Sequence, residues 1–96
     1  MERGAEMTEH DSPDVVLLRE VFDELWRAEA EHPPFNSAHE GWAVIKEELD
    51  ELWEEVRKKS IHRDPLKMRR EAIQIAAMGL RFVLNIIDGV GAEVPK

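Results

Sequence analysis

The chain has no cysteine, which excludes disulfide staples and thiolate metal sites. Long apolar runs are missing as well: no stretch reaches the roughly 18 residues that a membrane span needs. The opening segment, Met1 to Asp11, is polar and lacks an apolar h-region, so a secretory signal is not expected there. Basic residues are in the minority, 13 against 21 acidic, for a formal net charge of −8. A chain of that sign is repelled by phosphate backbones and anionic lipid, so no nucleic acid and no membrane is expected as a partner. Cytoplasmic placement follows from these absences. There is also no P-loop, no G-x-G-x-x-G, no nucleophile elbow and no H-x-x-x-H zinc pair. Period-two alternation, internal repeats and low-complexity segments are absent too.

What the chain does contain is helical patterning. Its 96 residues, 43% hydrophobic and 35% charged, suit one globular helical domain. Met1 to Asp11 reads as a flexible tail, 12–89 as the helical domain and 90–96 as a second tail. Ser12 and Pro13 open a first helix. Its apolar stripe is Val15, Leu18, Phe22, Leu25 and Trp26, and Pro33-Pro34 stop it. Ser37 and Glu40 form a capping box for a second helix that runs to about Lys59. Trp42, Ile45, Leu49, Leu52, Trp53 and Val56 make its core side. Asp64 and Pro65 open a third helix, which Asp88-Gly89 ends.

From Ala72 to Ile87 the third helix is apolar almost all round. Such a helix is buried on several sides, and two other helices can hardly cover it in so short a chain. The expected fold is therefore all-α. Three main helices form an antiparallel bundle that self-association, as dimer or tetramer, completes.

Chemistry concentrates in acidic positions on consecutive helices. Glu47, Glu48 and Glu51 sit one turn apart or closer on the second helix, and Glu71 lies on the third. A helical hairpin can bring Glu71 opposite Glu51. Converging carboxylates repel one another unless a cation stands between them, and magnesium takes oxygen ligands and bridges to phosphates. Spacing alone favours the plainer reading, a solvated acidic face. On the third helix Glu71, Gln74, Arg81 and Asn85 share one narrow polar stripe. That stripe either faces water, or lets Arg81 neutralise a Glu of the second helix, or offers Arg81 and Asn85 to phosphate and ribose oxygens.

The run Phe35 to Trp53 (FNSAHEGWAVIKEELDELW), followed by Glu71 to Met78 (EAIQIAAM), resembles the small MazG-like proteins, phage-type members included. The likeness covers about Val15 to Ile87. It implies an all-α, dimeric or tetrameric protein. It also implies a magnesium-dependent pyrophosphohydrolase, in which water attacks a nucleoside triphosphate to give the monophosphate and pyrophosphate. The family pattern is E-E-x-x-E, then, after a gap, E-x-x-D. Glu47, Glu48 and Glu51 match its first half, and Glu71 matches the start of the second. Gln74 stands where the family has Asp, and a neutral amide can ligate a cation but adds no charge and cannot act as a base. By this carry-over Glu48, Glu51, Glu71 and Gln74 hold Mg2+, and Glu47 or Glu48 activates water. The substitution at Gln74 keeps a second reading open, a non-catalytic helical oligomer that binds nucleotide or regulates.

Other residues have plainer expected roles. Trp26, Trp42 and Trp53 fall on apolar helix sides, which favours core packing over base stacking. Met68 and Met78 read as core fillers, and His39 as a residue of the capping region. Gly79 within a helix suggests a close helix approach there.

Overall fold

The second and third helices start at side-chain caps that their own sequence supplies. The computed structural model describes residues 11–89. The expected tails lie outside this range except for Asp11, whose carboxylate pairs with Arg19. The first helix, α1, spans Pro13–Glu31. Ser12 precedes it, but its hydroxyl donates to Asp14 and caps no backbone N–H. Asp14 accepts from the Val15 N–H at 3.0 Å instead. The second helix, α2, spans Ala38–Val56. Its capping box forms: Ser37 Oγ accepts from the Glu40 N–H at 3.0 Å, and the Glu40 carboxylate reaches back to the Asn36 N–H.

The α2 helix stops about one turn before the expected Lys59. Arg63 folds back and donates to the Val56 and Lys58 carbonyls at 2.8 and 3.1 Å, occupying acceptors that a longer helix would use. A 3₁₀ turn, Ser60–His62, carries the chain onward. The third helix, α3, spans Pro65–Phe82, with Asp64 Oδ1 accepting from the Leu66 and Lys67 N–H groups. It widens into a π turn at Val83–Ile87, and Gly89 leaves it at φ +72°, where a side chain would be strained.

Among the described residues there are three α-helices and no strand, an all-α chain. The central element is α3, which packs against both α2 and α1. A small core forms where Leu25 and Ala28 of α1, Phe35 of the connection, and Ala77 and Met78 of α3 meet. Gly41 permits this approach: a Cβ there would lie 2.7 Å from Phe82 Cδ2 and 3.1 Å from Phe35 Cδ2. Apart from its own helical turn, no atom of the described residues comes within 4 Å of where a Cβ on Gly79 would stand, so the close approach expected there is not made among them.

The apolar stripes depart most from expectation. On α1 the buried face is Val21, Leu25 and Ala28, so Leu25 alone of the expected stripe is buried. Val15, Leu18, Phe22 and Trp26 are exposed, and the Phe22 and Trp26 rings stack on each other at 6.1 Å. Ala28, being small, lets α1 approach α3, and the bulky stripe is thereby turned outward. On α2 the inward positions are Gly41, Val44, Ile45, Glu48, Leu52 and Glu55, leaving Leu49 exposed. Trp26, Trp42 and Trp53 are 60%, 61% and 56% exposed, so the core role expected for them is not met within one chain.

Candidate metal centre and groove

The inward face of α2 carries carboxylates because its positions toward α3 follow the helical steps from Gly41 through Val44 and Glu48 to Glu55. Glu48 therefore points at α3 and Glu51 borders the same face, while Glu71 projects from α3 toward them. One carboxylate oxygen from each of Glu48, Glu51 and Glu71 lies within 4.8 Å of the other two. The hairpin thus brings Glu51 and Glu71 to a common point. Glu71 is buried, Glu48 half-buried and Glu51 exposed, so the cluster opens to solvent on one side.

Two oxygens in this cluster are unusual. Glu48 Oε1 and Glu71 Oε1 are buried and have no hydrogen-bond partner. Carboxylates in contact can bond only through a shared proton or a cation, and otherwise repel. Burial pushes the Glu48 carboxyl up to about 7, with the charges of Glu51 and Glu71 adding to the shift. Glu51 is raised too, by loss of hydration first and by Glu71 second. On the other side of Glu71, Oε2 lies 3.5 Å from the Lys67 ammonium. An all-oxygen donor set with two orphaned buried atoms fits a hard divalent cation.

The remaining candidates divide. Glu47 is exposed and outside the trio, and it acts on Glu48 and Glu51 through its charge alone. Gln74 is half-buried one turn beyond Glu71 and lines a groove together with Glu48. Arg81 and Asn85 lie deeper. Arg81 donates to Glu29 Oε2 at 2.6 Å and to the Pro33 carbonyl at 2.9 Å, and its guanidinium sits 4.5 Å from the Phe35 ring centre. Its carboxylate partner is thus on α1, not on the second helix as one reading had it. Asn85, fully enclosed, accepts from the Phe35 N–H at 3.0 Å. The polar stripe faces inward, not to water.

The groove, about 290 Å³, lies between α1 and α2 with α3 as its floor. Its walls include Glu24, Phe35, Glu48, Gln74, Met78 and Arg81. Sequence reasoning passed over Glu24, Phe35 and Lys67 as site residues. Lys67 was findable, since it stands four positions before Glu71 on one helix. Glu55 was also passed over. It is buried, but its carboxylate accepts from Lys58 at 3.0 Å and from the Asp64 N–H at 2.8 Å. Those donors, Lys58 first, hold its carboxyl below the usual range. Glu55 therefore ties the hairpin together, and its oxygens are not orphaned like those of Glu48 and Glu71.

No protein-family model matches the chain, and searches of curated proteins and of solved structures likewise found no match.

Proposed function

We propose that this chain is a magnesium-dependent nucleoside triphosphate pyrophosphohydrolase of MazG-like type that works as a homo-oligomer. The observation that carries the reading is the meeting of Glu48, Glu51 and Glu71, with two buried oxygens lacking a partner. Mg2+ held by these carboxylates, with the Gln74 amide as a weaker neighbour, would neutralise charge on the phosphates and make a bound water more acidic. In this reading the water oxygen attacks the α-phosphorus, and the bond to the oxygen bridging the α- and β-phosphates breaks. The products are the monophosphate and pyrophosphate, with one proton released from the water.

Of the two candidate bases, Glu48 is the better placed, because Glu47 stands outside the cluster. The groove takes the nucleoside, with Phe35 and Met78 offering apolar surface. Arg81 borders it and can meet a polar group there. Asn85, enclosed, serves the substrate by fixing Phe35. A nucleotide substrate also fits a cytoplasmic location.

Self-association is supported by what the chain leaves uncovered. Among the described residues, large apolar side chains stay exposed: Trp42, Leu49 and Trp53 on α2, and Leu80, Val83 and Ile87 on the third helix and its π turn. A second copy covering these faces would complete an antiparallel bundle.

Gln74 favours one other reading, a nucleotide-binding or regulatory oligomer without turnover. A pyrophosphate-release assay with each common triphosphate and Mg2+ separates the two. Release that falls at least about a hundredfold in Glu71→Gln and Glu51→Gln is the expected result. No release from any triphosphate, with a melting temperature that still rises with Mg2+, would install the second reading. Gln74→Asp should tighten Mg2+ binding, and an unchanged affinity would remove Gln74 from the site.

A further inference from the structure

The charge of this acidic chain is unevenly spread. Between Arg57 and Arg70 stand seven of its 13 Lys and Arg residues and a single acid, Asp64. Most of these cations are spoken for. Arg57 pairs with Glu54, Lys58 with Glu55, and Arg69 with Glu20, while Arg63 caps α2. Lys67 differs. Its ammonium lies 3.5 Å from Glu71 Oε2, its side chain is 41% exposed, and its charge also acts on Glu51 and Glu55. It stands at the edge of the three-carboxylate cluster and within reach of solvent.

A cation in that place opposes the binding of a bare metal ion, because two positive charges then share one site. It makes sense when an anion arrives with the metal. The order of groups along the hairpin agrees. On α3, Arg81, Met78 and Gln74 line the groove, Glu71 joins the carboxylates, and Lys67 lies about 6 Å further on. The sequence is apolar pocket, carboxylates, ammonium, and a nucleotide has base, sugar and phosphates in the same order. Arg70 lies one position before Glu71, lines an adjoining hollow with Glu24 and Gln74, and makes no ion pair among the described residues.

We propose that Lys67, assisted by Arg70, binds the terminal phosphates of the substrate and so the pyrophosphate that leaves, with the base lying toward Phe35. This deepens the hydrolase reading and rests on it for the metal. Lys67 is here a binding and positioning residue with no part in proton transfer.

The test titrates Mg2+ alone, then inorganic pyrophosphate with Mg2+, into the full chain and into Lys67→Gln, Arg70→Gln and Arg57→Gln. Lys67→Gln should weaken pyrophosphate about tenfold, while Mg2+ alone binds equally or more tightly. Arg70→Gln should weaken pyrophosphate a few-fold, and Arg57→Gln should change neither. Opposite signs for the two ligands separate phosphate binding from simple support of Glu71, whose loss would weaken both together. Unchanged pyrophosphate affinity in Lys67→Gln, a parallel loss of both ligands, or no pyrophosphate binding by the parent chain would overturn the proposal. If no triphosphate is hydrolysed yet pyrophosphate binds through Lys67, the hydrolase reading fails and the anion site stands. If triphosphates are hydrolysed and Lys67→Gln alters nothing, the reverse holds.

Discussion

The two long faces of α3 carry chemistry opposite to their surroundings. Toward α1 and α2 it and its π turn present Glu71, Gln74, Arg81 and Asn85, three of them buried, beside the core residues Ala77 and Met78. Away from them Ala72, Ala76 and Leu80 are exposed, and Val83 and Ile87 extend this face through the π turn. Hydrophobic burial acting within one chain would turn the helix the other way. The inward polar face is held because most of its groups have partners, Arg81 on Glu29 and Pro33, Asn85 on Phe35. Glu71 is the exception, with one oxygen near Lys67 and the other orphaned. Where a buried polar face is fully satisfied it builds structure, and where it is left short, as at Glu71, it offers the place that the proposed cation would fill. The exposed apolar face bears on the proposed assembly: it is the kind of surface that a second copy would cover.

The largest effect should come from breaking the satisfied end of the inner face. Arg81→Met leaves Glu29 Oε2 and the Pro33 carbonyl without their donor, and should cost about 2–4 kcal/mol. For a chain of this size that lowers the melting temperature by about 10 °C or more. A shift of only one or two degrees would mean that the inner polar contacts are incidental. Next comes the outer face. Trp42→Ser combined with Trp53→Ser should weaken association by about 1 kcal/mol per tryptophan. Sedimentation would then move toward the single chain, since neither ring is buried by its own chain. An unaltered sedimentation coefficient would detach the outer face from assembly.

The smallest effect sharpens the unsatisfied end. In the folded chain Glu48 titrates near 7, above its ordinary 4.5, so between those values the folded state holds a proton that the unfolded chain has released. Without metal, stability should therefore fall as pH rises from 5 to 8. Allowing for solvent screening of a half-buried group, the drop is about 1 kcal/mol. Mg2+ competes with that proton, so its stabilising effect should grow across the same interval. Glu55 is lowered, so its contribution disappears only under more acid conditions and does not mask the trend. Melting curves at pH 5 and 8, with and without Mg2+, check this, and a metal-free chain that gains stability toward pH 8 would contradict the crowding of the three carboxylates.

How legible the molecule was in its sequence varied by element. The capping box at Ser37 and Glu40, the Asp64 cap, the Pro33-Pro34 stop and the Gly89 exit all appear where local chemistry puts them. The early end of α2 was not legible, because it depends on Arg63 reaching back to Val56 across several residues. The trio Glu48, Glu51 and Glu71 was legible as spacing, but not which of Glu47 and Glu48 would turn inward. Lys67 and Phe35 were missed because neither carries a motif. Each matters through a neighbour on another turn or another element.

Helix caps, proline stops and the spacing of acids along each helix follow from interactions within a few residues, and these the sequence determined. Which face of each helix is buried was decided only in the tertiary structure. On α1 the aromatic stripe and the Val21-Leu25-Ala28 stripe are both apolar, and periodicity cannot choose between them. The choice rests on which stripe lets the backbones approach and which polar groups find partners on the neighbouring helix. Those are properties of two surfaces meeting, so no single helix, read along its own length, contains them.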